Sequence, residues 1–150
     1  MAGRRRDPSR LRRSGRVLSQ SELSIGGKVL DASAVAAWTR GSIAFSAWLG
    51  AARVRGLTYY LPSLAITEVR VLRPDADILL DELAAHPHVV LGRLDAADAA
   101  AVEQLLDKSG TVDVLAGWVV HACRQRGWPA LSTDAGRLRR VDPAVEIDPL

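Results

Sequence analysis

At 150 residues and 48% hydrophobic composition, the chain is long enough to bury one core and too short for two. Its single cysteine, Cys123, excludes an internal disulfide, and no Cys/His cluster has zinc-ligand spacing. The net charge of +3 is unevenly spread: seven arginines against Asp7 and Glu22 give residues 1–27 a charge of +5, which leaves −2 for the remainder, so the body of the chain is mildly acidic and would need cations to handle nucleic acid.

Residues 1–27 are rich in Arg, Ser and Gly with no helical or alternating apolar pattern, which predicts a disordered extension before a folded domain at 28–150. Met1 to Arg16 carries the charge of a secretory leader, but no apolar run follows it. No stretch reaches the roughly 18 apolar residues of a membrane helix. The expectation is a soluble cytoplasmic protein with no membrane association.

From Lys28 onward, short apolar runs alternate with helical stretches, the signature of an α/β domain with a mainly parallel sheet. Strands are predicted at Lys28–Leu30, Leu57–Leu61, Val89–Leu91, Ala130–Ser132 and, more weakly patterned, Val145–Ile147. Helices are predicted at Ser33–Trp38 and Ile43–Arg55, broken by Gly41. Pro62 suits a helix start, because its missing N–H would be unpaired there and its φ is already helical; that helix runs through Glu68 to Leu72. Another spans Asp75–Ala85, ended by His86-Pro87, and another Ala96–Lys108, with Asp95 as cap and Gly110 as stop. The clearest helical pattern is Val112–Arg126, where Val112, Leu115, Ala116, Val119, Val120 and Cys123 form one apolar stripe closed by Gly127.

Four acids stand at positions that a parallel sheet treats as special. Asp31 ends the first strand and Asp134 follows the fourth by two residues, so both belong to carboxyl ends of strands, where such sheets bind ligands. Glu68 lies in the helix launched from the second strand, and Asp113 in the first turn of the helix before the fourth. Taken singly, each acid is more readily a cap or turn former than a ligand: Asp134 could cap the helix through Leu138, and Asp113 could accept N–H bonds in its own first turn, while Glu68 and Asp31 have weaker structural reasons. Together they predict a cation, since converging carboxylates disfavour their ionised forms without one. Hard oxygen ligands suit Mg²⁺ or Mn²⁺, and such an ion commonly binds substrate phosphate as well.

Val29-Leu30-Asp31-Ala32-Ser33-Ala34 resembles the opening strand of a PIN domain. Leu61-Pro62 through Glu68-Val69 is similar to the family's Pro-x-x-x-x-x-Glu segment, Val112-Asp113-Val114-Leu115-Ala116 to its Asp-x-x-x-Ala helix, and Leu131-Ser132-Thr133-Asp134 to its Ser/Thr-x-Asp strand end. The resemblance is to PIN-domain ribonucleases of the VapC type, the toxin half of VapBC toxin–antitoxin pairs, and it covers Lys28 to the C-terminus. It implies a three-layer α/β/α sandwich with four or five strands and an RNA endonuclease using Mg²⁺ or Mn²⁺. It also implies Asp31, Glu68, Asp113 and Asp134 as catalytic metal ligands, with Ser132 and Ser33 as polar helpers. The partners it implies are RNA, a VapB-like antitoxin and a second copy in a homodimer. Two features depart from the family: the long arginine-rich lead, and Val114 where an Ala often follows the third acid.

Arg137, Arg139 and Arg140 follow Asp134 closely and could steer an RNA backbone, although plain surface charge is the default. His86, His88 and His121 lie outside the acid-bearing segments and are expected on the surface or in loops. Trp38, Trp48 and Trp118 are expected to pack against neighbouring helices, with partner contact as the alternative, and Cys123 to be an unreactive core residue. The competing functional reading is a PIN-like module that binds RNA or a partner without cleavage, marked by a scattered or incomplete acid cluster.

Overall fold

The structure, a computed structural model, describes residues 26–150; the arginine-rich stretch before them, expected to be disordered, lies outside the described residues. The run Gly27–Leu30 forms β1, and four more short apolar runs form β2 (Thr58–Pro62), β3 (Val89–Gly92), β4 (Ala130–Ser132) and β5 (Ile147–Pro149). They make one sheet in the order β3-β2-β1-β4-β5 with every neighbouring pair parallel. β1 is the central strand, with Val29 registered against Tyr60 on one side and Ala130 on the other. Val29, Leu30, Ala130 and Leu131 are fully buried, as a parallel sheet covered on both faces requires.

Among the described residues, seven α-helices connect the strands: α1 (Ala32–Thr39), α2 (Ile43–Arg55), α3 (Ser63–Leu72), α4 (Asp77–Ala84), α5 (Ala96–Ser109), α6 (Val114–Arg126) and α7 (Ala135–Arg139). The chain steps from β1 to β2 to β3 in one direction and then returns past β1 to β4 and β5. Right-handed crossovers therefore place α1–α4 on one face and α5–α7 on the other. The packing agrees, with α1 against α2, α3 and α4, and α6 against α5 and α7. This is the expected three-layer α/β/α sandwich, at the upper of the two strand counts.

Punctuation residues set the helix ends. Gly41, Gly56, Gly110 and Gly127 all have positive φ, and the last two close α5 and α6 as left-handed C-caps. Asp95 caps α5 by accepting a 2.7 Å bond from the Asp98 N–H. Asp95→Ala should lower stability by about 1 kcal/mol while Asp95→Asn changes it little; urea denaturation in which both variants match wild type would remove the cap from the account.

Several expectations are corrected. Pro62 does not begin α3: it is the last residue of β2, with an extended ψ of 129°, and the helix starts at Ser63. Val112 is outside α6 and 92% exposed, because the Asp113 side chain accepts the Ala116 N–H and so takes the N-cap itself. The single apolar stripe assigned to α6 is too narrow: Leu115 through Val120 are buried without a break, since α5 covers a second side. Gly117 lets it approach, as a Cβ there would stand 3.0 Å from both Val102 and Leu106. Trp118 is buried and packs as expected, whereas His121, expected on the surface or in a loop, is part-buried and sits 2.9 Å from the Asp98 carboxylate. The last strand lies two residues later than predicted.

Trp38 and Trp48 serve packing, as expected. Trp38 donates to the Leu79 carbonyl at 2.9 Å and tilts against Phe45, tying α1 to α4 and α2. The Lys28 ammonium stands 5.0 Å from the Trp48 ring centre and pairs with Asp148, joining β1, α2 and β5. Cys123 is buried, and burial pushes its thiol up to about 12, consistent with an inert core position.

Candidate functional site

The crevice that matters opens where the strand order reverses, at the carboxyl ends of β1 and β4, from which α1 and α7 leave on opposite faces of the sheet. Asp31 follows β1 directly and is the N-cap of α1: its Oδ1 accepts from the Ala34 N–H at 2.9 Å and the Ser33 hydroxyl at 2.6 Å. Its Oδ2 accepts from the Ser132 hydroxyl at 2.5 Å. The residue is 4% exposed, and burial raises its carboxyl above the usual range, against the opposing pull of Ser132, Ser33, the Ala34 N–H and the Arg137 charge.

Ser132 joins the two strand ends. While donating to Asp31, its oxygen accepts the Asp134 N–H at 2.8 Å, and it lies 3.2 Å from the Ser33 hydroxyl. Ser33 in turn accepts the Thr133 N–H at 2.8 Å. The two serines expected as polar helpers thus lace β1 to β4 around the buried carboxylate.

Glu68, in the second turn of α3, and Asp113, the N-cap of α6, come from opposite faces of the sheet and meet on one side chain. Arg137 donates to both Glu68 oxygens, from Nη1 at 2.7 Å and Nη2 at 2.8 Å, and to both Asp113 oxygens, from Nε at 2.7 Å and Nη2 at 3.0 Å. A planar fork matched to two carboxylates is the geometry for which guanidinium is suited. The hydrogen bonds from Arg137 hold the Asp113 carboxyl below its usual range, and Glu68 and Asp113 raise the Arg137 guanidinium further above its already high value. Asp134 stands apart: exposed, it caps α7 through a 3.3 Å contact with the Arg137 N–H.

The structure therefore joins Glu68 and Asp113 on the Arg137 side chain, holds Asp31 separately on Ser33, Ala34 and Ser132, and ties Asp134 in through Ser132 and the Arg137 backbone N–H. Three of the four acids (Asp31, Asp113 and Asp134) are also helix N-caps, so the cap and site readings coincide rather than compete. Among the described residues, no three His, Cys, Asp or Glu side chains are arranged to hold a metal ion. The donor chemistry suits a hard divalent cation, but the spacing of Glu68 and Asp113 is fitted to a guanidinium.

Arg137 was expected, with Arg139 and Arg140, as plain surface charge, with phosphate steering as the alternative. It is instead consumed by the carboxylates, while Arg139 and Arg140 remain exposed. One signal bears on it: Arg137 lies one turn after Asp134, and helical side chains lean back toward the N-terminus, here toward the crevice.

No protein-family profile and no curated protein matches the sequence. Solved structures do. The chain is similar to the VapBC2 complex from Rickettsia felis bound to a DNA fragment from its promoter, with a TM-score of 0.61 and 10% identity over 82% of this chain and 98% of that one. FitAB bound to the IR36 DNA fragment matches with a TM-score of 0.56 and 16% identity, covering 81% and 93%. FitAcB from Neisseria gonorrhoeae matches with a TM-score of 0.50 and 17% identity, covering 79% and 94%. The likeness shows that this chain carries the VapC-type PIN-domain fold.

Proposed function

We propose that the protein is a Mg²⁺- or Mn²⁺-dependent RNA endonuclease, the toxin component of a type II toxin–antitoxin system. The observation that carries the reading is the meeting of Glu68 and Asp113, from opposite faces of the sheet, on one cation at the strand-reversal crevice of a VapC-type fold, with the carboxylate of Asp31 buried at the end of β1. Asp31, Glu68 and Asp113 would hold the ion, with Asp134 at the rim; when bound, it would neutralise phosphate charge and promote attack by water on the phosphodiester. Ser132 and Ser33 fix the rotamer of Asp31. Arg139 and Arg140, exposed beside the crevice, are placed to attract an RNA backbone.

A VapB-like antitoxin is the proposed partner. Its support is the number of exposed apolar side chains on the helices of the α1–α4 layer: Ile43 and Val54 on α2 are each 87% exposed, and Val71, Leu72 and Ile78 on α3 and α4 are mostly exposed. On α2 lies a shallow, largely apolar depression walled by Ala44, Ala47, Trp48, Ala51 and Arg55. Exposed apolar clusters of this kind mark interaction surfaces, and a second copy of the chain is the other proposed occupant. No helix among the described residues is long and apolar enough to cross a membrane, and action on RNA would be cytoplasmic.

The test is incubation of the purified chain with single-stranded RNA and millimolar Mn²⁺, with and without chelator. Cleavage that appears with the metal and stops with chelator is the expected result. Cleavage that survives chelation sinks the metal assignment, and RNA bound but never cut with either ion would favour the non-cleaving module. Expression without a partner should slow growth.

A further inference from the structure

Glu68 and Asp113 each present two carboxylate oxygens, and all four are within 3.0 Å of an Arg137 nitrogen. Both oxygens of Asp31 are likewise occupied, by Ser33, Ala34 and Ser132. The Arg137 side chain is a quarter exposed and those of its two partners about a third, so the guanidinium and the carboxylates it joins stand at the solvent boundary rather than in the core. It springs from α7, a five-residue helix at the crevice mouth.

We infer that Arg137 is an internal cation that occupies the ion's place, so that divalent metal enters only by exchange with the guanidinium and the site is held in a metal-free, closed state until that exchange occurs. This rests on the metal-dependent reading above. The physical basis is direct competition. A guanidinium and a divalent ion seek the same lone pairs on Glu68 and Asp113, and the fork already satisfies them with four charge-assisted hydrogen bonds. The free energy of breaking those bonds is subtracted from that of metal binding, which lowers the apparent affinity in proportion to the fraction of open state. Without either cation, two carboxylates would face each other partly desolvated, which disfavours their joint ionisation. The metal-free fold therefore depends on Arg137 as the metal-bound one would not.

Titration calorimetry with Mn²⁺ on the wild-type chain, Arg137→Gln and Arg137→Lys, with thermal melts of each, tests the exchange. Arg137→Gln should bind Mn²⁺ at least about ten-fold more tightly than wild type. It should melt lower without metal and gain more from added Mn²⁺, since ligand binding stabilises by mass action. Arg137→Lys keeps the charge but loses the two-carboxylate fork, and should fall between them. Arg140→Gln removes one positive charge near Asp113 without removing any carboxylate contact, and should leave Mn²⁺ affinity within about two-fold. Adding Asp113→Asn to Arg137→Gln should abolish the gain. Equal Mn²⁺ affinity in wild type and Arg137→Gln overturns the exchange while leaving the nuclease reading intact, and so does an equal gain from Arg140→Gln, which would show bulk charge at work. Absence of Mn²⁺ binding in every variant overturns both.

Discussion

Asp31→Asn should abolish metal-dependent RNA cleavage, by at least ~100-fold, since even groups that merely orient a metal ligand cost 10- to 100-fold when removed. It should also make the metal-free protein more stable. The two effects have one cause. The Asp31 carboxylate is buried, and the raised position of its carboxyl means that the fold prefers it protonated. For an acid whose folded pKa lies above the unfolded one, the folded state binds the proton more tightly, so stability declines as pH rises from the usual carboxylate range through the raised value. Above the ordinary carboxylate range the wild type therefore carries the cost of a buried ionisable group that Asn does not have. The expected gain is roughly 0.5–2 kcal/mol, the ordinary size of stabilising changes at functional sites. It should shrink toward zero in acid, where the carboxyl is protonated in both states. Urea denaturation in chelator at neutral and acid pH, paired with an RNA cleavage assay, reads both. A variant that is inactive because it is less stable at neutral pH would show that the carboxylate serves the fold rather than a cation.

That conflict between stability and chemistry explains why some of the site was legible in the sequence. A charged residue ending the apolar run Val29-Leu30 has no packing rationale, and an acid two residues past Leu131 invites the same question, so Asp31 and Asp134 stood out. Gly110 and Gly127 announced the ends of α5 and α6 because left-handed caps leave few other choices. Alternation of short apolar runs with helical stretches was enough for the parallel sheet. What stayed hidden depended on partners far away in sequence. The span of 69 residues between Glu68 and Arg137 has no periodicity to betray it, and Arg137 read as one of three similar surface arginines. The α6 stripe was underestimated because α5 supplies a second burying surface that a single helix's pattern does not reveal, least of all at Gly117, which has no side chain. Pro62 misled because its fixed φ of −58° serves an extended strand end as readily as a helix start; only ψ, which proline leaves open, separates the two.

Ser132→Ala should destabilise the protein by about 1–3 kcal/mol at neutral pH, the cost of leaving a buried charged group short of a donor, and by clearly less in acid. Ser132 is 2% exposed and is a hub: its hydroxyl proton goes to Asp31, and its oxygen receives the Asp134 N–H. Its bond to Asp31 is the largest of the influences that hold the carboxyl down against burial. Losing it lets the Asp31 carboxyl rise further, which extends upward the pH range over which ionisation costs stability. The loss is therefore largest where Asp31 is ionised and smallest below the ordinary carboxylate range, where only the neutral bonds to Ser33 and the Asp134 N–H are at stake. A double-mutant cycle separates these contributions: in the Asp31→Asn background, Ser132→Ala should cost less than half as much at neutral pH. A penalty that is the same at every pH and in both backgrounds would mean that Ser132 fills space and joins β4 to α7 without governing the charge on Asp31. The dependence on Asp31 should persist in chelator, because the bond belongs to the polypeptide alone. Added Mn²⁺ should reduce the Ser132→Ala penalty, since a cation at the crevice takes over from the hydroxyl part of the work of stabilising the ionised carboxylate.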